Sequence, residues 1–196
     1  MKIHSVLESN RHALKEWALV QKALLEGRQT VLLRKGGLAD KRPGFSVEHN
    51  EFFVYPTYWH QQRLGVDPSL AGLWEGIVEG APPADQVEFS VYAAVIKSFQ
   101  IVNPERLNIL RGIQVLTEDE LSRRFYYRDK PGIHLIVLRA YRLSEPIRIP
   151  VMEHFPGCRS WVDLGHELST TGCRPVLDDD LFERRVREIC EAVEGP

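Results

Sequence analysis

Apolar residues recur at helical spacing over residues 11–26, at Leu14, Trp17, Ala18, Leu24 and Leu25, and Gly27 follows as a stop. The pattern predicts an amphipathic helix. Residues 29–34 then carry Thr30, Val31, Leu32 and Leu33 in an unbroken run, which reads as a strand buried on both faces. A second strand is expected over residues 51–55, ended by Pro56, so that the two form a hairpin with a long, basic connection. Residues 57–64 read as a short helix beside its end.

Beyond a Gly- and Pro-rich stretch at residues 65–85, alternation returns. Phe89, Val91, Ala93, Val95, Phe99 and Ile101 predict a long half-buried strand over residues 88–102. Residues 134–143 predict another, and residues 147–151 a shorter one after Pro146, both joining the strand around Val95. Asn103-Pro104 opens a short helix through Leu110, and Thr117 with Glu120 has the spacing of a capping box for a helix ending near Phe125. Asp178, Asp179 and Asp180 cap a final helix whose stripe is Phe182, Val186, Ile189, Cys190 and Val193. The sum is an α+β fold: N-terminal helix and hairpin, mostly antiparallel sheet, C-terminal helix. Residues 1–196 read as a single domain, with subdomains 1–75 and 86–196 as the alternative division.

Composition narrows the functions. Twenty-five basic against 27 acidic residues leave a formal charge of −2, so no bulk field draws the protein to nucleic acid, and any such contact needs a local patch. Met1-Lys2-Ile3-His4-Ser5 lacks the apolar run of a signal peptide, and no stretch approaches the roughly 20 apolar residues of a membrane span. A cytoplasmic address with no membrane partner is the expectation. Cys158, Cys173 and Cys190 are too few and too widely spaced for a disulfide framework or a paired-cysteine zinc site.

The densest chemistry lies between Arg34 and Gln61. Arg34 and Lys35, with the backbone donors of Gly36 and Gly37, could hold a phosphate, because glycine allows close approach and lysine supplies charge. His49, Glu51 and His60 could ligate a divalent metal, the only cofactor these residues suggest, or Glu48 or Glu51 could orient His49 or His60 as a general acid/base. Against these stands the ordinary account of solvated loop cations and a surface ion pair. A second basic set is Arg123, Arg124 and Arg128 with Lys130, Arg139 and Arg142, interleaved with Phe125, Tyr126, Tyr127 and Tyr141. Arginines beside aromatics can hold phosphates and stack bases, and equally can pack over rings on a protein surface.

Several runs resemble a known family. Ala13-Leu14-Lys15-Glu16-Trp17, Leu32-Leu33-Arg34-Lys35-Gly36-Gly37, Glu48-His49-Asn50-Glu51-Phe52, Tyr55-Pro56-Thr57 with His60-Gln61, Leu138-Arg139-Ala140-Tyr141-Arg142-Leu143 and Gly157-Cys158-Arg159-Ser160-Trp161-Val162 are similar, in order, to the bacterial family called domain of unknown function 1802. The resemblance implies one continuous module and assigns no activity. A restriction-type nuclease site, which needs a Glu-x-Lys, has no such triplet in the chain.

The leading expectation is a pocket at the hairpin end that binds a phosphate-bearing ligand, a nucleotide or nucleic acid. There Arg34, Lys35, Gly36, Gly37 and Gln61 bind, while His49, Glu51 and His60 supply acid/base or metal chemistry for phosphoester hydrolysis. The alternatives are a non-catalytic nucleic-acid-binding module using Arg123, Arg124 and Arg128, and a protein-interaction domain.

Overall fold

The computed structural model describes residues 6–35, 45–58, 65, 67–127, 130–155, 157 and 159–195. Its backbone is a pair of long antiparallel strands, β4 (Gln86–Ile101) and β5 (Ile133–Pro150). Around them lie β1 (Ser9–Trp17), β2 (Val31–Arg34), β3 (Glu51–Thr57), β6 (Trp161–Ser169) and the two-residue β7 (Arg174–Pro175). Helices α1 (Ala18–Leu25), α2 (Ala71–Glu79), α3 (Glu118–Phe125) and α4 (Asp179–Glu194) complete the α+β architecture, with 3-10 turns at Pro68–Leu70 and Pro104–Leu110. The sheet order is β2-β5-β4-β3-β1-β6, with β7 on β5; every pairing is antiparallel except β1 with β3.

A bulge between Val95 and Lys97 divides the β4–β5 ribbon into two arms. The first arm, where Ile101 faces Ile133, carries β2, with Leu33 opposite Leu135. The second carries β3, with Phe53 opposite Tyr92, and beyond it β1 and β6. In a flat sheet β2 and β1 would lie four strand spacings apart, about 19 Å at roughly 4.8 Å each, well beyond an arginine side chain. Yet the Arg34 Nη1–H donates to the carbonyl of Lys15 at 2.8 Å. The arms therefore fold toward each other at the bulge, and the sheet curls until β2 meets the end of β1.

Curling gives the sheet two buried faces. Leu14, Phe52, Val54, Val91 and Ala93 pack inward with α1 and the β2 arm, whereas Ala13, Phe53, Tyr55, Phe89 and Tyr92 pack on the opposite face with Phe155, Val162 and Leu164. Both parities of β1 and β3 are thus apolar. This corrects the expected helix over residues 11–26: its first half is β1, and α1 begins only at Ala18. A strand buried on both faces, joined directly to a helix, mimics spacings of three and four residues.

The expected hairpin is also corrected, since β2 pairs with β5 and β3 lies between β1 and β4. Pro56 does not end β3, which runs to Thr57, and the strands expected at 134–143 and 147–151 are one strand. β6 was not anticipated, because its exposed Asp163, Gly165, His166 and Glu167 hide its alternation. The end signals held. Asn103 accepts from the Glu105 amide, Thr117 Oγ1 from the Glu120 amide and Asp178 from the Leu181 amide. No helix of the described residues is long and apolar enough to cross a membrane.

Phe52, with 0% exposure, lies edge-on to Trp161 at 5.1 Å inside the curled sheet. Phe52→Ala is expected to cost about 3–5 kcal/mol in urea denaturation; a loss below about 1 kcal/mol would contradict this packing.

Candidate ligand-binding cleft

Where the two arms meet, Arg34 acts as a clasp. Besides the Lys15 carbonyl, its guanidinium donates to Glu16 Oε2 at 3.1 Å and to Ser160 Oγ at 3.0 Å, and it lies over the Phe45 ring at 5.5 Å. The Glu16 side chain is 2% exposed, and its other oxygen accepts from the Trp17 amide. Arg34 Nε is buried without a hydrogen-bond partner among the described residues. Lys35, next along, directs its ammonium at the carbonyls of Phe125, Lys130 and Gly132. Those three bonds use its three donors and tie β2 to the segment after α3. Burial holds its pKa below the usual lysine range.

α3 supplies the second wall. Its acidic first turn and basic last turn both suit the helix dipole, and one helical turn places Glu120 beside Arg123 and Arg124. Arg123 donates twice to the Glu120 carboxylate, at 2.7 and 2.9 Å. Arg124 donates to the same carboxylate at 2.8 Å and to the Leu33 carbonyl at 3.2 Å, with its guanidinium 4.4 Å from the Trp17 ring centre. Burial opposes ionisation of Glu120, but the hydrogen bonds and charges of the two arginines outweigh it and hold its carboxyl below the usual glutamate range. The expected capping box is therefore half formed: Thr117 caps the helix, while the Glu120 side chain holds arginines instead.

These walls enclose a cleft of about 900 Å³. Its lining includes Lys15, Arg34, Lys35, Arg123, Arg124 and Arg159, six cations against one carboxylate, Glu16, together with Trp17, Tyr55, Tyr58, Tyr127 and Phe155. A protein with a net charge of −2 concentrates positive charge here. Arg159 is exposed and has no hydrogen bond or ion pair among the described residues.

The structure unites two groups that sequence reading kept apart, since Arg34 and Lys35 line the same cleft as Arg123 and Arg124. His49 and Glu51 are not in that lining. His49 stacks on His12 with ring centres 3.6 Å apart and meets the Trp161 ring edge-on, while Glu51 accepts from the Leu7 amide and the Tyr92 hydroxyl, both at 2.9 Å. The Tyr92 hydroxyl also accepts from Asn10, so Glu51 belongs to a network that fixes the start of β1. Gly36, Gly37, His60, Gln61 and Arg128 lie outside the described residues. Among the described residues no three His, Cys, Asp or Glu side chains gather as a metal-ligand cluster. Arg139 pairs with Asp179 and Arg142 donates to the Leu25 carbonyl, fastening α4 and α1.

Lys15, Glu16, Arg159 and Ser160 were missed as site residues. Lys15 and Glu16 interrupt an apolar run, and all four lie in runs that carry the family resemblance, which assigned them no role. Glu120 was legible, three and four residues before its two arginines, but was read solely as a cap.

Glu120→Gln should destabilise the protein by about 1.5–3 kcal/mol at neutral pH, the range for hydrogen bonds to charged groups. Because the folded carboxyl titrates lower than an unfolded glutamate, its contribution is complete above about pH 4.3 and is lost as pH falls through the depressed folded value. The gap between wild type and variant in denaturation should therefore close in acid. A gap independent of pH would show that the carboxylate charge does not hold the arginines.

Among curated proteins nothing matches the chain significantly. Among solved structures, the crystal structure of ASCH from Zymomonas mobilis aligns with a TM-score of 0.44 at 14% identity, covering 90% of this chain and 93% of that one. Structures of two mutants of the Zymomonas mobilis protein give TM-scores of 0.42 and 0.41, each at 14% identity over 90% of this chain, covering 96% and 94% of theirs. The family model called domain of unknown function 1802 matches residues 13–188, and this chain belongs to that family.

Proposed function

We propose that the cleft binds a phosphate-bearing ligand, a nucleotide or nucleic acid. The observation that carries this reading is the gathering of six cations, from β1, β2, α3 and the segment before β6, around one concave surface interleaved with tyrosines. Cations spread over a surface bind little, whereas cations converging on a cavity focus field on an anion. Their donors are also only partly used. Arg123 is occupied through Nε and Nη2 and Arg124 through Nε and Nη1, which leaves the remaining guanidinium nitrogen of each for a ligand oxygen. Guanidiniums held by a buried carboxylate are preorganised, so little rotamer freedom remains to be lost when phosphate arrives.

The reading is one of binding, carried by residues 1–196 as one module. His49 and Glu51 lie outside the described lining, so the proposal rests on the cations and tyrosines of the cleft. The basic set on α3 and the set at the end of β2 act here as one surface.

Fluorescence anisotropy with a labelled single-stranded oligonucleotide tests the proposal. Log affinity should fall linearly with log salt concentration, by about 0.7 per phosphate contacted. Arg159→Ala should weaken binding several-fold and flatten that slope, while Arg184→Ala, an exposed change on α4 outside the cleft, should do neither. Equal loss in the two variants would refute the cleft as the site.

A further inference from the structure

The lining of the cleft is of two kinds. One is cationic, with Arg123 and Arg124 of α3 and Arg34 from β2. The other is apolar and comes from the second arm of the ribbon: Pro82 and Pro83 precede β4, Val87 near its start pairs with Ile149, and Val151 follows β5. Tyr58, one residue beyond β3, is also in the lining. Burial chiefly, and then the nearby negative charge of Glu88 on β4, push its hydroxyl pKa up. Tyr55, also in the lining, is edge-on to Phe89 at 5.8 Å and to Phe155 at 6.0 Å, with the Lys15 ammonium 5.9 Å from its ring centre.

Building on the reading of the cleft as a phosphate site, we propose that it accepts one unpaired nucleotide, its base against Tyr58 and the Pro82–Pro83 wall and its phosphate at Arg123 and Arg124. A polyanion without a base would satisfy the cations and leave the apolar and aromatic lining uncovered. A duplex would present phosphates but keep its bases stacked away from the tyrosine. A nucleotide joins a flat, apolar-faced ring to an anion through a sugar, matching a lining that combines Tyr58 and the two prolines with the arginines. The volume of about 900 Å³ lies within the range of small-molecule pockets, roughly 300–1,000 Å³. The unit can come from a free nucleotide or from an unpaired residue of a strand.

Calorimetric titration of the full chain with inorganic phosphate, adenosine 5′-monophosphate, an oligonucleotide and an abasic oligonucleotide of equal length separates the cases. Base-bearing ligands should bind at least about tenfold tighter than their base-free counterparts, the order expected of one base–aromatic stack. Tyr58→Ala should erase that advantage while leaving phosphate binding unchanged, and Tyr58→Phe, which keeps the ring, should restore it. A base-dependent gain with the monophosphate identifies a free nucleotide as the source; a gain confined to oligonucleotides identifies a strand residue, and either supports the proposal. Equal binding with and without a base, or a gain insensitive to Tyr58→Ala, overturns it while leaving the phosphate site standing. No binding by any of the four overturns both readings.

Discussion

The Arg34 guanidinium is the contact on which the rest of the cleft depends. It joins the end of an edge strand to Lys15, Glu16 and Ser160 on the far side of the sheet, and so converts a bent ribbon into a curled sheet with an inside. The pair it makes with Glu16 is nearly dry, with side-chain exposures of 15% and 2%. Burying both charges costs desolvation that their attraction offsets only with good geometry, so such a pair contributes more to where the strands end than to net stability. Losing either partner alone would strand the other in an apolar setting.

The same logic is repeated one layer outward. Glu120 is buried and Arg123 and Arg124 converge on it, with the Arg124 guanidinium over Trp17, the residue that follows Glu16. Lys35 ties the segment after α3 to the end of β2 through three carbonyls. Each buried carboxylate is thus paired with an arginine that lines the cleft. Glu16 is the only carboxylate in the described lining, against six cations, which is how a chain with more acidic than basic residues presents a basic cavity.

Local signals were legible in the sequence and long-range ones were not. The caps at Asn103, Thr117 and Asp178 and the stripe of α4 depend on neighbours within one turn, and each appears where the pattern places it. Alternation located β4 but put Phe89 on the face of Val91 and Ala93, from which the register shift between Phe89 and Val91 separates it. β1 failed because burial on both faces removes the alternation that marks a strand, and the supposed hairpin failed because the partner of β2 lies about a hundred residues away in β5. For the site, residue chemistry was readable but adjacency was not. Arg34 and Arg124 were both visible as cations, yet only the bend at the Val95–Lys97 bulge and the packing of α3 bring them to one cleft.

Backbone amide chemical-shift mapping tests the central claim most directly, because it reports where a ligand sits without presuming which side chain matters. Titration with a short single-stranded oligonucleotide should move resonances of residues 15–17, 57–58, 123–127 and 159–160, which come from four separate stretches of chain and meet only at the cleft. Shifts confined to the surroundings of His49 and Glu51, or to the exposed face of α4, would contradict the account.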